Sequence, residues 1–266
     1  MTNERESVTI KKMKKESERT ALLLGEDGVE KLNRSRVAVF GIGGVGGYCA
    51  EALARAGVGE ILLVDGDRVE KSNLNRQIVA LHSTIGQPKA EIMARRIADI
   101  NPDCRVVARV CFYGERTADD FDFSAYDYVF DAVDDVAAKV EIISRAVAAK
   151  TPVISAMGAG NKLFPEQFEA ADISRTQVCP LARIVRKKLR ERGIERGVKV
   201  VYSKEPPVSR RDGRDGQDEG NGQSKQNIDG RAGERAPAVG SVSFVPSVMG
   251  LIMAGEGIKD LARGEK

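Results

Sequence analysis

A chain of 266 residues can hold one large domain or two modest ones, and 42% hydrophobic residues suffice for a sizeable core. A formal net charge of +3 creates no whole-molecule field that would announce a nucleic-acid partner, so any basic surface must be local. Cys49, Cys104, Cys111 and Cys179 form neither a disulfide framework nor a C-x-x-C pair, which favours a reducing, cytoplasmic compartment; no apolar run is long enough for a membrane span, and the Lys-rich N-terminal stretch has no apolar signal-peptide core.

Residues 1–18 are charged and expected to be mobile, and Leu22, Leu23, Leu24 and Leu32 predict a helical lead-in over Arg19–Leu32. Val37–Phe40 reads as a buried strand. Gly41-Ile42-Gly43-Gly44-Val45-Gly46 follows, then a helical pattern to Ala56 and a second strand, Ile61–Val64, closing on Asp65. Strand, glycine turn, helix, strand and acid form the context that lifts a G-x-G-x-x-G match above chance. Gly41 allows the tight turn, Gly43 lets a phosphate approach the backbone, and Gly46 lets helix and strand pack closely. The helix start offers unpaired N–H groups to an anion, and Asp65 stands where a carboxylate accepts hydrogen bonds from ribose hydroxyls. A nucleotide is expected here.

Asp67–Gln87 is a polar connection carrying Asn73, Arg76 and His82; His82 reads as a local capping or packing residue. Pro88 opens a helix over Lys89–Ile100. Strands follow at Arg105–Val110 and Tyr128–Phe130, the latter running into Asp131–Asp135, then a helix over Val136–Ala149 and a strand at Pro152–Ala156. This alternation predicts an α/β fold with a doubly wound, mostly parallel, Rossmann-like sheet. Phe168–Ile173 and Val198–Tyr202 read as strands flanking a basic helix from Pro180, so the C-terminal extension mixes strands and helices. Residues 205–238 are nearly devoid of large apolar side chains and are expected to be a disordered insertion; a last helix runs to about Ala262.

Arg76 and Lys89 add cations near the glycine turn, and Asp134 stands at the C-terminal end of the fourth strand, the edge where α/β sheets bind ligands. Two cations and an extra carboxylate suit a triphosphate with Mg²⁺ better than NAD. Asp134 would hold the metal, while Arg76 and Lys89 stabilise charge at phosphorus. On the basic helix, Leu181, Ile184, Val185 and Leu189 would face the protein, leaving Arg186, Lys187, Lys188 and Arg190 as a stripe toward phosphates. Cys179, just before Pro180 at the helix start, reads either as a functional thiol or as an ordinary partly buried cysteine.

Arg36–Asp67, Ser72–Gln77, Gly86–Glu91 and Asp131–Asp134 together resemble the ubiquitin-activating-enzyme-like family of HesA, MoeB and ThiF proteins, over roughly residues 19–160. Members adenylate a carboxylate with ATP. The resemblance implies that Asp65 binds the ribose, that Asn73, Arg76 and Lys89 contact the phosphates, and that Asp134 holds Mg²⁺. It also implies a homodimer, in which an N-terminal arginine of one subunit often reaches the partner's ATP; Arg19 is the nearest candidate. Members that charge ubiquitin-like sulfur carriers typically bind zinc through two C-x-x-C pairs, absent here.

Arg19-Thr20, Leu22–Gly25, Asn75–Gln77, Asp172–Thr176, Pro180–Arg183 and Ser243–Ser247 are similar to one branch, the tRNA threonylcarbamoyladenosine dehydratases. That similarity implies activation of a threonyl carboxylate on tRNA, followed by ring closure by the neighbouring carbamoyl nitrogen. An activator of a ubiquitin-like sulfur carrier and a non-catalytic nucleotide-binding module stay as alternatives, and a sulfur-transfer protein as a candidate partner. The expected organisation is an ATP-binding adenylation domain over 19–178, with 179–266 as the C-terminal part of the same domain, its basic helix spanning 180–193.

Overall fold

Val37, Ala38, Val39 and Phe40 alternate between the two faces of one strand and are all fully buried, so helices must cover that strand on both sides. The computed structural model, which describes residues 14–208 and 239–264, has that arrangement. In chain order the elements are α1 (Glu18–Arg34), β1 (Arg36–Phe40), α2 (Gly46–Arg55), β2 (Glu60–Val64), α3 (Lys89–Ile100), β3 (Arg105–Arg109) and β4 (Tyr128–Asp131). There follow α4 (Val136–Ala148), β5 (Val153–Ala156), β6 (Phe168–Asp172), α5 (Pro180–Glu191), β7 (Lys199–Ser203) and α6 (Phe244–Arg263).

The seven strands form one sheet in the order β3-β2-β1-β4-β5-β7-β6, parallel throughout except for β6 at the edge. The chain leaves β1 toward β2 and β3, then returns to lay β4 on the other flank of β1, with Phe40 beside both Val64 and Asp131. The carboxyl ends of β1, β2 and β4 therefore border one crevice, the usual ligand position in such sheets. On one face, Leu53, Met93, Met249 and Met253 pack α2, α3 and α6 against Val37 and Val39. On the other, Ile142, Val185 and Leu189 bring in α4 and α5, and Phe40 stacks with Phe123 and edges against Tyr113. Helix α6 reaches α2 closely because residue 250 is glycine: a Cβ there would run into the Val45 carbonyl oxygen.

Two stretches differ from expectation. Lys15–Ser17 makes a 3-10 turn leading into α1, which breaks at Gly25 (φ 77°); of the expected mobile N-terminus, residues 1–13 lie outside the described residues. The expected insertion over 205–238 does not begin at Glu205, which is buried and whose carboxylate accepts from Leu163 N and Phe164 N at 3.0 Å each. Glu205 thereby ties the backbone at residues 163–164 to the chain just past β7. Residues 209–238 lie outside the described residues. Their flanks meet at Asn161: its carbonyl accepts from Val208 N (2.8 Å), and its side-chain oxygen accepts from Gly240 N (2.7 Å).

Candidate active site

The turn from β1 into α2 admits only glycine at two of its positions. Gly41 has φ +85° with the Ala132 carbonyl pressed against it, and a Cβ at Gly46 would run into the Gly41 carbonyl oxygen. Gly43 is different: the nearest foreign atom to a Cβ there is Gln77 Nε2 at 3.9 Å, so space above the backbone stays open. No side-chain oxygen caps α2; the Gly47 N–H donates to the Gly43 carbonyl (3.1 Å), and the N–H groups of the turn before it are the ones placed for an anion.

Asp65, at the end of β2, is locked to this turn. Its Oδ2 accepts from Ile42 N at 2.6 Å and its Oδ1 from Asp67 N at 2.7 Å. Burial raises its pKa above the ordinary aspartate value, against the opposing pull of the Lys89 ammonium and the two N–H groups. Lys89 reaches this place because its backbone N–H donates to the Asp67 carbonyl (3.0 Å), drawing the start of α3 onto the end of β2. Lys89 is 5% exposed, and its ammonium donates to Asp67 Oδ2 at 2.8 Å.

Arg76 lies on the far side of the turn, its Cγ 3.5 Å from where a Gly44 Cβ would be. Its guanidinium donates to the Ser72 carbonyl (2.8 Å) and to Asn75 Oδ1 (2.9 Å), and Asn75 Nδ2 donates to the Ser241 carbonyl (3.0 Å). Asn73 is buried and builds the turn that carries Arg76, accepting from Glu70 N at 3.2 Å. Pro246 of α6 packs on Gly44, 3.3 Å from the same Cβ position. Asp134 is exposed on the rim beyond β4, followed by Asp135, which caps α4 by accepting from Ala138 N (2.7 Å). The structure thus gathers Gly41, Gly43, Gly46, Asp65, Arg76 and Lys89 at one crevice, with Asp134 at its edge.

Three contributors escaped sequence reasoning. Asp67 is the partner that holds Lys89. Phe112 packs its ring on Gly66 yet is 64% exposed, offering an aromatic face next to Asp65. Gln77 is buried beside Gly43 with its Oε1 lacking any hydrogen-bond partner, an orphan acceptor at the mouth of the anion site. Gln77 stood in the Asn-Arg-Gln run and was legible there; Phe112 sits in a loop with no periodicity to betray it. His82 is exposed, and the capping near it is done by Thr84, whose Oγ1 accepts from Leu81 N at 2.9 Å.

The basic helix α5 behaves as its periodicity predicts, with one correction. Ala182, Val185 and Leu189 are buried, while Arg183, Lys187, Lys188 and Arg190 are exposed. Arg186 is only half-exposed and shares its donors: its Nη1 donates to the Thr176 carbonyl (2.8 Å) and hydroxyl (2.5 Å), tying down the loop before the helix. Cys179 is 3% exposed at the start of α5, its Sγ beside Gly158 just past the carboxyl end of β5.

A model of the ThiF family matches residues 17–265. The chain is 48% identical over 246 residues to a tRNA threonylcarbamoyladenosine dehydratase of Bacillus subtilis, covering 92% of this chain and 94% of that one. It superposes on a crystal structure of the E. coli tRNA N6-threonylcarbamoyladenosine dehydratase TcdA in complex with ATP, with a TM-score of 0.78, 32% identity, and 92% and 93% of the two chains covered. To the E. coli sulfur carrier protein ThiS adenylyltransferase it is 39% identical over 141 residues, 52% of this chain and 55% of that one.

Proposed function

The chain belongs to the ThiF family, and from that premise we propose that it is an ATP-dependent tRNA threonylcarbamoyladenosine dehydratase, a cyclising ligase. It joins AMP from ATP to the threonyl carboxylate of threonylcarbamoyladenosine in tRNA and releases pyrophosphate. The carbamoyl nitrogen of the same nucleoside then attacks the activated carbonyl, AMP leaves, and the nucleoside has lost one water. The observation that carries this reading is the meeting of an acid and two cations, Asp65, Arg76 and Lys89, around one glycine turn with open space at Gly43.

Each residue has a task in that scheme. Asp65 accepts from the ribose hydroxyls, and Phe112 offers its exposed face to the base. The backbone at Gly43 and the start of α2 take phosphate oxygens, with Gln77 beside them and Asn73 contributing as the family implies. Arg76 and Lys89 offset the charge that develops as the carboxylate attacks phosphorus. Among the described residues no cluster of three acidic, histidine or cysteine ligands could cage a metal. Magnesium needs no such cage: one carboxylate plus substrate phosphates is its ordinary setting, so Asp134 on the rim fits. Bound there, the ion would offset phosphate charge. Ring closure is intramolecular and calls for no protein thiol, so buried Cys179 has no step to perform and a sulfur-transfer partner gains no support from it.

The same reading assigns tRNA phosphates to Arg183, Lys187, Lys188 and Arg190 on α5, with Arg186 bracing the loop beneath them. It assigns a second copy of the chain to the first half of α1, where Leu22 and Leu23 are 85% and 87% exposed beside exposed Arg19. It sets the enzyme in the cytoplasm, where its four free cysteines stay reduced. Residues 19–178 form the adenylation part and 179–266 complete the same domain, in keeping with β7 and β6 extending the one sheet. The deciding experiment incubates the protein with Mg-ATP and tRNA bearing threonylcarbamoyladenosine, then weighs the nucleosides. Loss of one water is expected; an unchanged nucleoside, with ATP turnover that depends instead on a small carrier protein, overturns the reading.

A further inference from the structure

Behind the crevice lies a polar cluster that the adenylation scheme does not use. Asp131, Lys139 and Ser155 are each 0% exposed. Lys139 Nζ donates to Asp131 Oδ2 at 2.8 Å and to Ser155 Oγ at 3.3 Å, and Ser155 Oγ donates to Asp131 Oδ2 at 2.5 Å. Every member is satisfied, yet a fully buried ion pair is an expensive way to fill a core, and apolar residues of similar volume commonly serve stability as well or better. A different use is written in the other oxygen of the carboxylate. Asp131 Oδ1 accepts from Val133 N at 3.2 Å, so the cluster grips the loop that leaves β4.

That loop is held at three points. Ala132 N donates to the Phe40 carbonyl (2.8 Å) and its own carbonyl presses on Gly41; Val133 N is gripped by Asp131; Asp135 is fixed as the cap of α4. Asp134 stands between the second and third of these. The Lys139 backbone N–H donates to the Asp135 carbonyl (3.0 Å) as part of α4, while its ammonium and the Ser155 hydroxyl fix the carboxylate that grips the loop.

We propose that Lys139 is a positioning residue: through its buried pair with Asp131, seconded by Ser155, it holds the Ala132–Asp134 loop against the glycine turn and thereby sets the place of the Asp134 carboxylate. The inference rests on the metal role proposed for Asp134, and its test keeps the two apart. In the full-length chain, the all-apolar replacement D131V/K139M/S155A removes the grip without leaving a buried charge unpaired, so it keeps the wild-type Tm or exceeds it. Hydrogen exchange of the Ala132–Asp135 amides accelerates in that variant. The gain in ATP affinity on adding Mg²⁺ falls by about tenfold, as for the loss of a group that orients a metal ligand, while ATP affinity in EDTA is unchanged. S155A alone, a milder change, moves both readouts the same way by less and serves if the triple variant fails to fold.

Wild-type exchange at Ala132–Asp135, in either variant that folds, overturns the proposal. So does an undiminished Mg²⁺-dependent gain in a variant whose loop has loosened, given that D134N abolishes that gain. If D134N keeps the gain, the metal role of Asp134 falls by itself, and loop exchange still decides whether Lys139 holds the loop.

Discussion

Lys89 stands at 5% exposure between two acids, and only one of them is an ordinary partner. Asp67, 53% exposed, can be hydrated if the ammonium is lost, so Lys89→Met costs the fold mainly through Asp65, whose burial the ammonium helps to offset. Catalysis is another matter: adenylate formation, read by ATP–pyrophosphate exchange, should drop by about 100-fold or more, the scale of losing one preorganised charge at a reacting phosphate. Asp65 gives a pH prediction of definite sign. Its folded-state pKa is raised by burial, so the folded apo-protein holds that proton more tightly than the unfolded chain does. The resulting stabilisation is full below the unfolded-state pKa and is lost as pH rises through the folded value. ATP binding runs the opposite way, because a protonated Asp65 is a poor acceptor for ribose hydroxyls. Calorimetric titration toward acid should show ATP affinity weakening before an ordinary aspartate would protonate, and Asp65→Asn should flatten that dependence.

Helix α5 presents Arg183, Lys187, Lys188 and Arg190 to solvent and ties Arg186 to Thr176. Lys187→Ala, Lys188→Ala and Arg190→Ala together should weaken tRNA binding and reduce the slope of log K against log salt by about 0.9 for each phosphate no longer neutralised, leaving ATP affinity intact. Arg186→Ala should instead lower Tm, costing about 1 kcal/mol for the donor taken from Thr176, with little change in salt slope. Helical periodicity could not separate these roles, because Thr176 is a tertiary partner and periodicity sees only the helix's own face. The same limit explains what else was legible. Val37–Asp65 could be read nearly residue by residue, since apolar runs, glycines and a terminal acid are local signals; α3 was bounded as neatly by Pro88 and by Asn101-Pro102. The hold of Asp67 on Lys89, the ring of Phe112 over Gly66 and the claim of Leu163 and Phe164 on Glu205 join distant stretches, and composition even assigned Glu205 to the wrong side of a boundary.

Asn161 fastens Val208 on one side and Gly240 on the other, so the two described flanks of residues 209–238 are held together by the fold itself. Replacing 209–238 with a short Gly-Ser linker should leave ATP affinity unchanged and Tm equal or slightly higher, since shortening a loop lowers its closure entropy by about 1 kcal/mol at most. The packing of α6 on α2 is less forgiving. Gly250→Val would wedge the helices apart at the Val45 carbonyl, lowering stability by roughly 1–3 kcal/mol and lifting Pro246 from Gly44; thermal melts with and without ATP would register both effects. That contact also orders events during synthesis. Gly44 leaves the ribosome well before Pro246, which seats it from α6. A nascent polypeptide thus carries Gly41, Asp65, Arg76 and Lys89 well before it carries the helix that braces their turn, and the crevice should reach its full hold on nucleotide only once α6 has packed on α2.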